Sequence, residues 1–407
     1  MRKLFKGISV AAFALSTVLF LLMGYAEISI PDEIYLTDNK EISSGAIFTY
    51  SLSREKINER KSAVSENYEM NIRLFDTIPV KTSRVTLSKR QYVTVSGRIF
   101  GIKLYTDGVM VIANQEIESE AGTVCPGDTA GLKPGDIIKK ADMQDITSSS
   151  ALSKAIKNSN GKAVRIKAVR NSKETEFILK PVKCKTDGKY KAGLWVRDST
   201  AGIGTMTFYD RETGIFAGLG HAVCDVDTGK EMPISNGDAV KARVNGCYKG
   251  KSGTPGELCG VFEPVTVGDL YVNGETGVYG LLKSFDNKSK LLPVALPQEI
   301  KTGKAQILST VHSGDPKYYD VEITSVFRNS SGVRNMVIKI TDERLLSETG
   351  GIVQGMSGTP IIQNGMLAGA VTHVFVNDPT RGYAIFAENM LITAKNLENS
   401  EKLNNAS

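Results

Sequence analysis

The run Gly355-Met356-Ser357-Gly358-Thr359-Pro360 sets a hydroxyl between glycines where the backbone must turn sharply. A serine attacks a carbonyl when an imidazole takes its proton, a carboxylate orients that imidazole, and N–H donors receive the developing oxyanion. The glycines permit a turn that points the Gly355 and Ser357 N–H groups into one hollow, a candidate oxyanion hole. The stretch that follows, Ile361 to Val371, reads as a hairpin turning at Asn364-Gly365.

The general base is sought among three histidines, His221, His312 and His373. His221 closes the short apolar run Phe216-Ala217-Gly218-Leu219-Gly220 well before the serine. The hairpin and the His-before-Ser order both resemble the chymotrypsin-like, double-β-barrel peptidases. His373 lies in the apolar strand Val371–Phe375 and reads as a core or pocket-wall residue, and His312 beside Ser313-Gly314-Asp315 as a surface turn. Asp225, Asp227, Asp238, Asp269 and Asp342 all remain open as the orienting acid. A second Ser-Gly-Thr-Pro at Ser252 lacks the preceding Gly-Xaa and the following hairpin, and reads as a plain turn.

These residues need a scaffold. From Ala192 to Ala387 nearly every segment is a short β-branched run bounded by Gly, Asn-Gly or Pro, with a helical pattern only at Glu388–Leu397. That pattern predicts a sandwich or barrel. Val95 to Val182 alternates strand-like pieces with one helical pattern, Ser150–Asn158, and predicts a small α+β module.

Within that module, Ala130-Gly131-Leu132-Lys133-Pro134-Gly135-Asp136-Ile137-Ile138 matches the turn signature of PDZ domains, whose glycines supply positive φ. The resemblance makes Gly101, Ile102, Lys103 and Leu104 the strand whose edge accepts an extended peptide. Leu152 and Ile156, four apart on the helix, share one face and either line that groove or belong to the core. Asp142-Met143-Gln144-Asp145 departs from the Asn-Gly turn usual at that place.

At the N-terminus, Arg2, Lys3 and Lys6 precede an apolar stretch, Ile8 to Met23, so the chain is read as exported. The length of the stretch favours an anchor over a cleaved signal. The charged stretch from Ser53 to Lys61 holds no apolar face and reads as a juxtamembrane linker. Short strands follow at Ile72–Phe75 and Val85–Leu87, separated by a turn at Ile78-Pro79. The division expected is a membrane segment at 1–26, linker and short strands at 27–93, a PDZ domain at 94–183 and a peptidase domain at 190–400. Five cysteines without CxxC spacing read as buried thiols, not a disulfide framework or a metal site. Lys and Arg number 50 against 44 Asp and Glu, but the excess is spread along the chain, which argues against nucleic-acid binding.

The export signal, the PDZ signature, Gly218-Leu219-Gly220-His221, and the segment from Gly351 through Thr372-His373-Val374-Phe375-Val376-Asn377-Asp378-Pro379 together resemble the stage IV sporulation protein B family of signalling serine peptidases. The resemblance spans nearly the whole chain. It implies a mainly β architecture: a membrane segment, a small α+β PDZ domain and a chymotrypsin-like double β-barrel. It implies Asp342, in Thr341-Asp342, as the acid beside His221 and Ser357, with no metal or organic cofactor. It further implies export across the forespore inner membrane, release by self-cleavage, peptide ligands for the PDZ domain, and a membrane-bound regulator of a sigma-factor-processing protease as substrate. The linker from Ser43 to Asn67 is the accessible place for the self-cut. Two other readings exist: a general envelope quality-control protease, in which the PDZ domain usually follows the peptidase, and a non-catalytic membrane-anchored PDZ scaffold, which an intact serine and histidine disfavour.

Overall fold

The computed structural model describes residues 2–30, 32–36, 47–52, 65–285, 291–328 and 332–404. The apolar N-terminal stretch forms a helix, Arg2–Ser29, long and apolar enough to cross a membrane. Its length and composition suit a membrane anchor or a signal sequence alike.

Residues 27–93 are more than a linker. Strands Glu33–Leu36, Ile78–Ser88, Ser65–Leu74 and Phe48–Leu52 lie side by side in that order, closing over Met70, Ile72 and Val85. The predicted strands are longer than their apolar cores suggest, because cross-strand pairing carries polar residues into the sheet. The turn falls at Phe75 and Asp76, both at positive φ. Pro79 instead sits near the start of a strand, beside a register shift between Ile72 and Arg73. The charged stretch Ser53–Lys61 lies outside the described residues, as does most of the region expected to carry the self-cut.

Two closed barrels follow. In the first, Ile99–Asn114 pairs with Ile234–Tyr248, then come Glu257–Gly274, Gly277–Leu282, Ile215–Gly218 and Leu194–Tyr209, which pairs back onto Ile99–Asn114. Phe100, Ile102, Leu104, Phe216 and Leu270 fill it, with Phe100 and Phe216 edge to face at 5.8 Å. The second ring runs Gly303–Ser309, Lys317–Val326, Met336–Ile340, Asp378–Phe386, Met366–Phe375, Pro360–Gln363 and closes on the first of these. Its interior is β-branched, including Ile307, Val321, Ile323, Ile338 and Ile361. The helix expected near Glu388 runs Ala387–Asn404 and buries Met390, Leu391 and Ala394 against Phe208 and Tyr279 of the first barrel and Leu367 and Ile385 of the second.

The PDZ-like module is built into the first barrel. Strands Ile99–Asn114 and Leu194–Tyr209 are each 16 residues long and serve both bodies. Ile99 to Tyr105 pairs with Ser199 to Thr205 inside the barrel, and Met110 to Asn114 with Leu194 to Arg197 inside the module, a register shift separating the halves. Residue 94, the expected start of the module, lies in the short strand Tyr92–Val95, which pairs with Leu194–Tyr209. Gly131 and Gly135 adopt φ of 82° and 86°, as the turn signature requires, and buried Asp136 holds Arg170 through two bonds of 2.7 and 2.6 Å. Asp142 replaces the Asn-Gly turn by entering the left-handed region itself (φ 53°) while its carboxylate accepts from the Arg165 N–H. Of the five cysteines, all free, only Cys184 is buried, and Cys224 is exposed.

Candidate active site

The nucleophile loop is held from three sides. Asp342 caps the helix Glu343–Thr349, which ends on left-handed Gly350 and feeds the chain to Gln354. There the hairpin joining strands Ile234–Tyr248 and Glu257–Gly274 of the first barrel reaches across: the Gln354 N–H donates to the Gly256 carbonyl and the Leu258 N–H to that of Gln354. From beneath, Thr205 donates its N–H to the Ser357 carbonyl and its hydroxyl to that of Gly355, both at 2.9 Å, and Thr207 donates to the Gly358 carbonyl at 2.7 Å. Gly355 and Gly358 sit at φ of 95° and 91°, and a Cβ on Gly358 would collide with the Thr205 carbonyl and the Leu219 nitrogen.

This bracing leaves a pattern among the loop's donors. The N–H groups of Gln354, Met356, Gly358 and Thr359 all donate to backbone carbonyls, whereas those of Gly355 and Ser357 make no hydrogen bond among the described residues. The Ser357 hydroxyl donates to the Thr372 carbonyl at 2.8 Å.

His221 leaves the strand Ile215–Gly218 through two consecutive left-handed residues, Leu219 (φ 67°) and Gly220 (φ 71°). Its Nδ1 lies 2.8 Å from the Ala222 carbonyl, which makes that nitrogen the protonated one and leaves Nε2 as a lone-pair acceptor. Burial pushes its pKa below the ordinary imidazole value, so the ring is neutral at neutral pH. The loop beyond is pinned by Asn273, which accepts from the Val223 N–H and donates to the Val223 and Met232 carbonyls. His373, expected in a core or pocket wall, is exposed and packs its ring on that of His221, centroids 4.6 Å apart and planes 36° apart. His312 pairs with Glu348 at 2.8 Å on the surface.

None of the acids expected from sequence bonds to His221. Asp342 accepts from the N–H groups of Asp320, Arg344 and Leu345 and from the Arg344 guanidinium. That guanidinium, helped by the backbone donors and opposed by burial, sets its carboxyl well below the usual range, at about 2. Its oxygens are thus committed to the start of the helix Glu343–Thr349 and to Arg344. Asp225 and Asp227 hold Arg197, and Asp269 pairs with Lys283. Asp238 lies opposite Asp269 on a barrel strand.

Ser252 is a turn, as expected. Its hydroxyl donates to the Asn377 carbonyl at 2.9 Å and ties the bridging hairpin to the second barrel. Sequence reasoning missed Thr205, Thr207, Asn273 and the Thr372 carbonyl, since nothing local marks a residue whose partner lies so far along the chain.

Gly101, Ile102, Lys103 and Leu104 do not form a peptide-accepting edge. Both sides of that segment are paired, with Thr200 to Ile203 on one and Gly237 to Val240 on the other. A groove exists elsewhere in the module: a cavity of ≈ 370 Å³ between helix Ser149–Asn158 and the chain from Tyr190 to Val196. Leu152 and Ile156 line it and also join the module's core with Val111 and Ile138. The helix is fixed to the far strand by Asp198, which accepts from the Ser149 N–H and hydroxyl at 2.7 and 2.9 Å.

Two closed barrels joined around a glycine-flanked serine, with a neutral histidine supplied by the first barrel, define a serine peptidase carrying a PDZ-like module. Residues 188–391, half of the chain, match the family model of the SpoIVB peptidase S55, and the chain belongs to that family. Among solved structures, the PDZ domain of the SdrC-like protein from Listeria monocytogenes is 22% identical over 23% of this chain and 90% of its own, with a TM-score of 0.19. The active form of the Rv3671c protease from M. tuberculosis is 15% identical over 47% of this chain and 72% of its own, with a TM-score of 0.26. Among the described residues no three His, Cys, Asp or Glu side chains gather as a metal site.

Proposed function

We propose that this peptidase makes regulatory cuts during spore formation, in its own chain and in a membrane-bound regulator of a sigma-factor-processing protease. Ser357 Oγ attacks the substrate carbonyl carbon while His221 Nε2 takes its proton. The Gly355 and Ser357 N–H groups receive the oxyanion, and His221 returns the proton to the departing amine. Water then hydrolyses the acyl-enzyme. The observation that carries the site assignment is the pair of idle N–H groups at Gly355 and Ser357 in a loop whose other donors are all engaged. Membership of the SpoIVB peptidase family supports the sporulation role, and the helix Arg2–Ser29 supports export with initial membrane attachment in the forespore.

An extended peptide docks beside Gly193 to Val196, with Leu152 and Ile156 forming the apolar floor that receives its last side chain. The module is continuous with the barrel through shared strands, an arrangement unlike a peptidase followed by a separate PDZ domain, and this favours the signalling reading over a quality-control protease.

The test is labelling of the exported protein by a fluorophosphonate, with the regulator co-expressed and its fragments sequenced. Labelling lost in Ser357→Ala, together with a discrete cut in the regulator, supports the proposal. Labelling that survives Ser357→Ala sinks the site, and an intact regulator beside a labelled enzyme sinks the substrate.

A further inference from the structure

We infer that His373 is a positioning residue for the catalytic imidazole, its ring packing against His221 and holding it in the rotamer that bonds Nδ1 to the Ala222 carbonyl. This rests on the assignment of Ser357 and His221 as nucleophile and base.

A histidine base needs its ring fixed in angle as well as in tautomer. In a Ser-His-Asp site one carboxylate does both and also stabilises the imidazolium. Here no carboxylate among the described residues bonds to His221: Asp225, Asp227, Asp269 and Asp342 pair with cations, and Asp238 lies opposite Asp269 on a barrel strand. The Ala222 carbonyl fixes the tautomer through a single bond about which the ring can still tip. A ring packed over that face restricts this freedom, and His373 supplies one, with centroids 4.6 Å apart and planes tilted by 36°.

His373 is suited to packing and not to proton transfer. Its ring makes no hydrogen bond among the described residues, so no competing partner pulls it off His221. The titratable or cationic groups acting on it are His221 on the packed face and Arg334, whose guanidinium lies over Tyr383 at 4.9 Å. Loss of water on the packed face, then these two groups, lower its pKa, although its outer edge stays exposed. The ring is therefore uncharged where the base must work, and stacks without repulsion.

The preceding residue strengthens the case. Thr372 offers the carbonyl on which the Ser357 hydroxyl rests, so two adjacent residues on strand Met366–Phe375 contact the nucleophile and the base. The strand is braced where it matters, since a Cβ on Gly382 would press on the His373 carbonyl at 2.6 Å.

The experiment measures the rate of fluorophosphonate labelling as a function of pH for the full chain and for His373→Ala and His373→Phe, with thermal unfolding of each. Losing the ring contact in His373→Ala is expected to slow labelling about fivefold. Water reaching the bared face of His221 raises its pKa, so the acid limb of the profile moves to higher pH. His373→Phe keeps a ring on that face and is expected to restore both rate and limb towards those of the parent. A merely structural role lowers the unfolding temperature without moving the limb. An unmoved limb in His373→Ala, or a Phe variant no better than Ala, overturns the inference. A parent protein that fails to label, or labels equally as Ser357→Ala, overturns instead the assignment on which it rests.

Discussion

The Ser357 hydroxyl donates to the Thr372 carbonyl at 2.8 Å and not to His221. A carbonyl accepts that hydrogen bond but cannot take the proton, so this is a resting arrangement. The proposed reaction requires Oγ to turn towards His221 Nε2, which has no hydrogen-bond partner among the described residues. Apo enzymes commonly tighten such contacts only once substrate is bound.

Ser357→Ala removes that one half-buried hydrogen bond and nothing else the fold depends on. A loss of about 1 kcal/mol is expected in chemical unfolding, with complete loss of fluorophosphonate labelling. A variant that unfolds outright would show that the serine is needed for structure.

Thr205→Val keeps the shape of the side chain but removes the hydroxyl that donates to the Gly355 carbonyl. The peptide plane preceding Met356 loosens, and of the two bonds from Thr205 the loop keeps only that from its N–H to the Ser357 carbonyl. Cleavage of a peptide substrate is expected to fall about tenfold in kcat with KM little changed, the signature of a contact that matters in the transition state. An effect confined to KM would place Thr205 in substrate binding.

Asp342 is expected to act through the helix Glu343–Thr349. Asp342→Asn retains a capping oxygen and should keep labelling, while Asp342→Ala should lose about 1–2 kcal/mol of stability as the cap is lost. The sign of its pH dependence follows from the depressed pKa of about 2. A carboxyl whose folded pKa lies below its unfolded value stabilises the fold above the unfolded value, here near 3.8, and that contribution vanishes as pH falls through about 2. The acid stability of Asp342→Ala should therefore decline less steeply than that of the parent between those values. Loss of labelling in Asp342→Asn at unchanged stability would return this residue to the side of His221.

Gly193 stands at φ 63°, and a Cβ there would strike the Gln115 carbonyl at the end of the peptide groove. Gly193→Ala is expected to weaken an extended peptide with an apolar C-terminus at least several-fold by titration calorimetry, without loss of Ser357 labelling. A peptide bound equally well by this variant would place the site away from Gly193 to Val196.

The site and the classes of structure were legible in the chain because they depend on local chemistry. Gly355-Met356-Ser357-Gly358 needs its glycines for positive φ, Asn364-Gly365 for its hairpin turn, and Gly131 and Gly135 for the module's turn, and each adopts the conformation its residue type permits. The apolar N-terminal stretch and the short β-branched runs likewise declared a helix and barrels. What the sequence could not decide is which distant groups meet. Chain order leaves five acids open and the family resemblance implies Asp342, whose oxygens in the structure bind the start of a helix. The ring contact of His221 with His373, and the bracing of Gly355 by Thr205, exist only because two barrels close against each other. The same holds for Gly101–Leu104, whose alternation correctly signals a strand but not the neighbours on its edges. Strand pairing over long separations is set by closure of the barrel, and that geometric constraint covers Gly101–Leu104 on both edges.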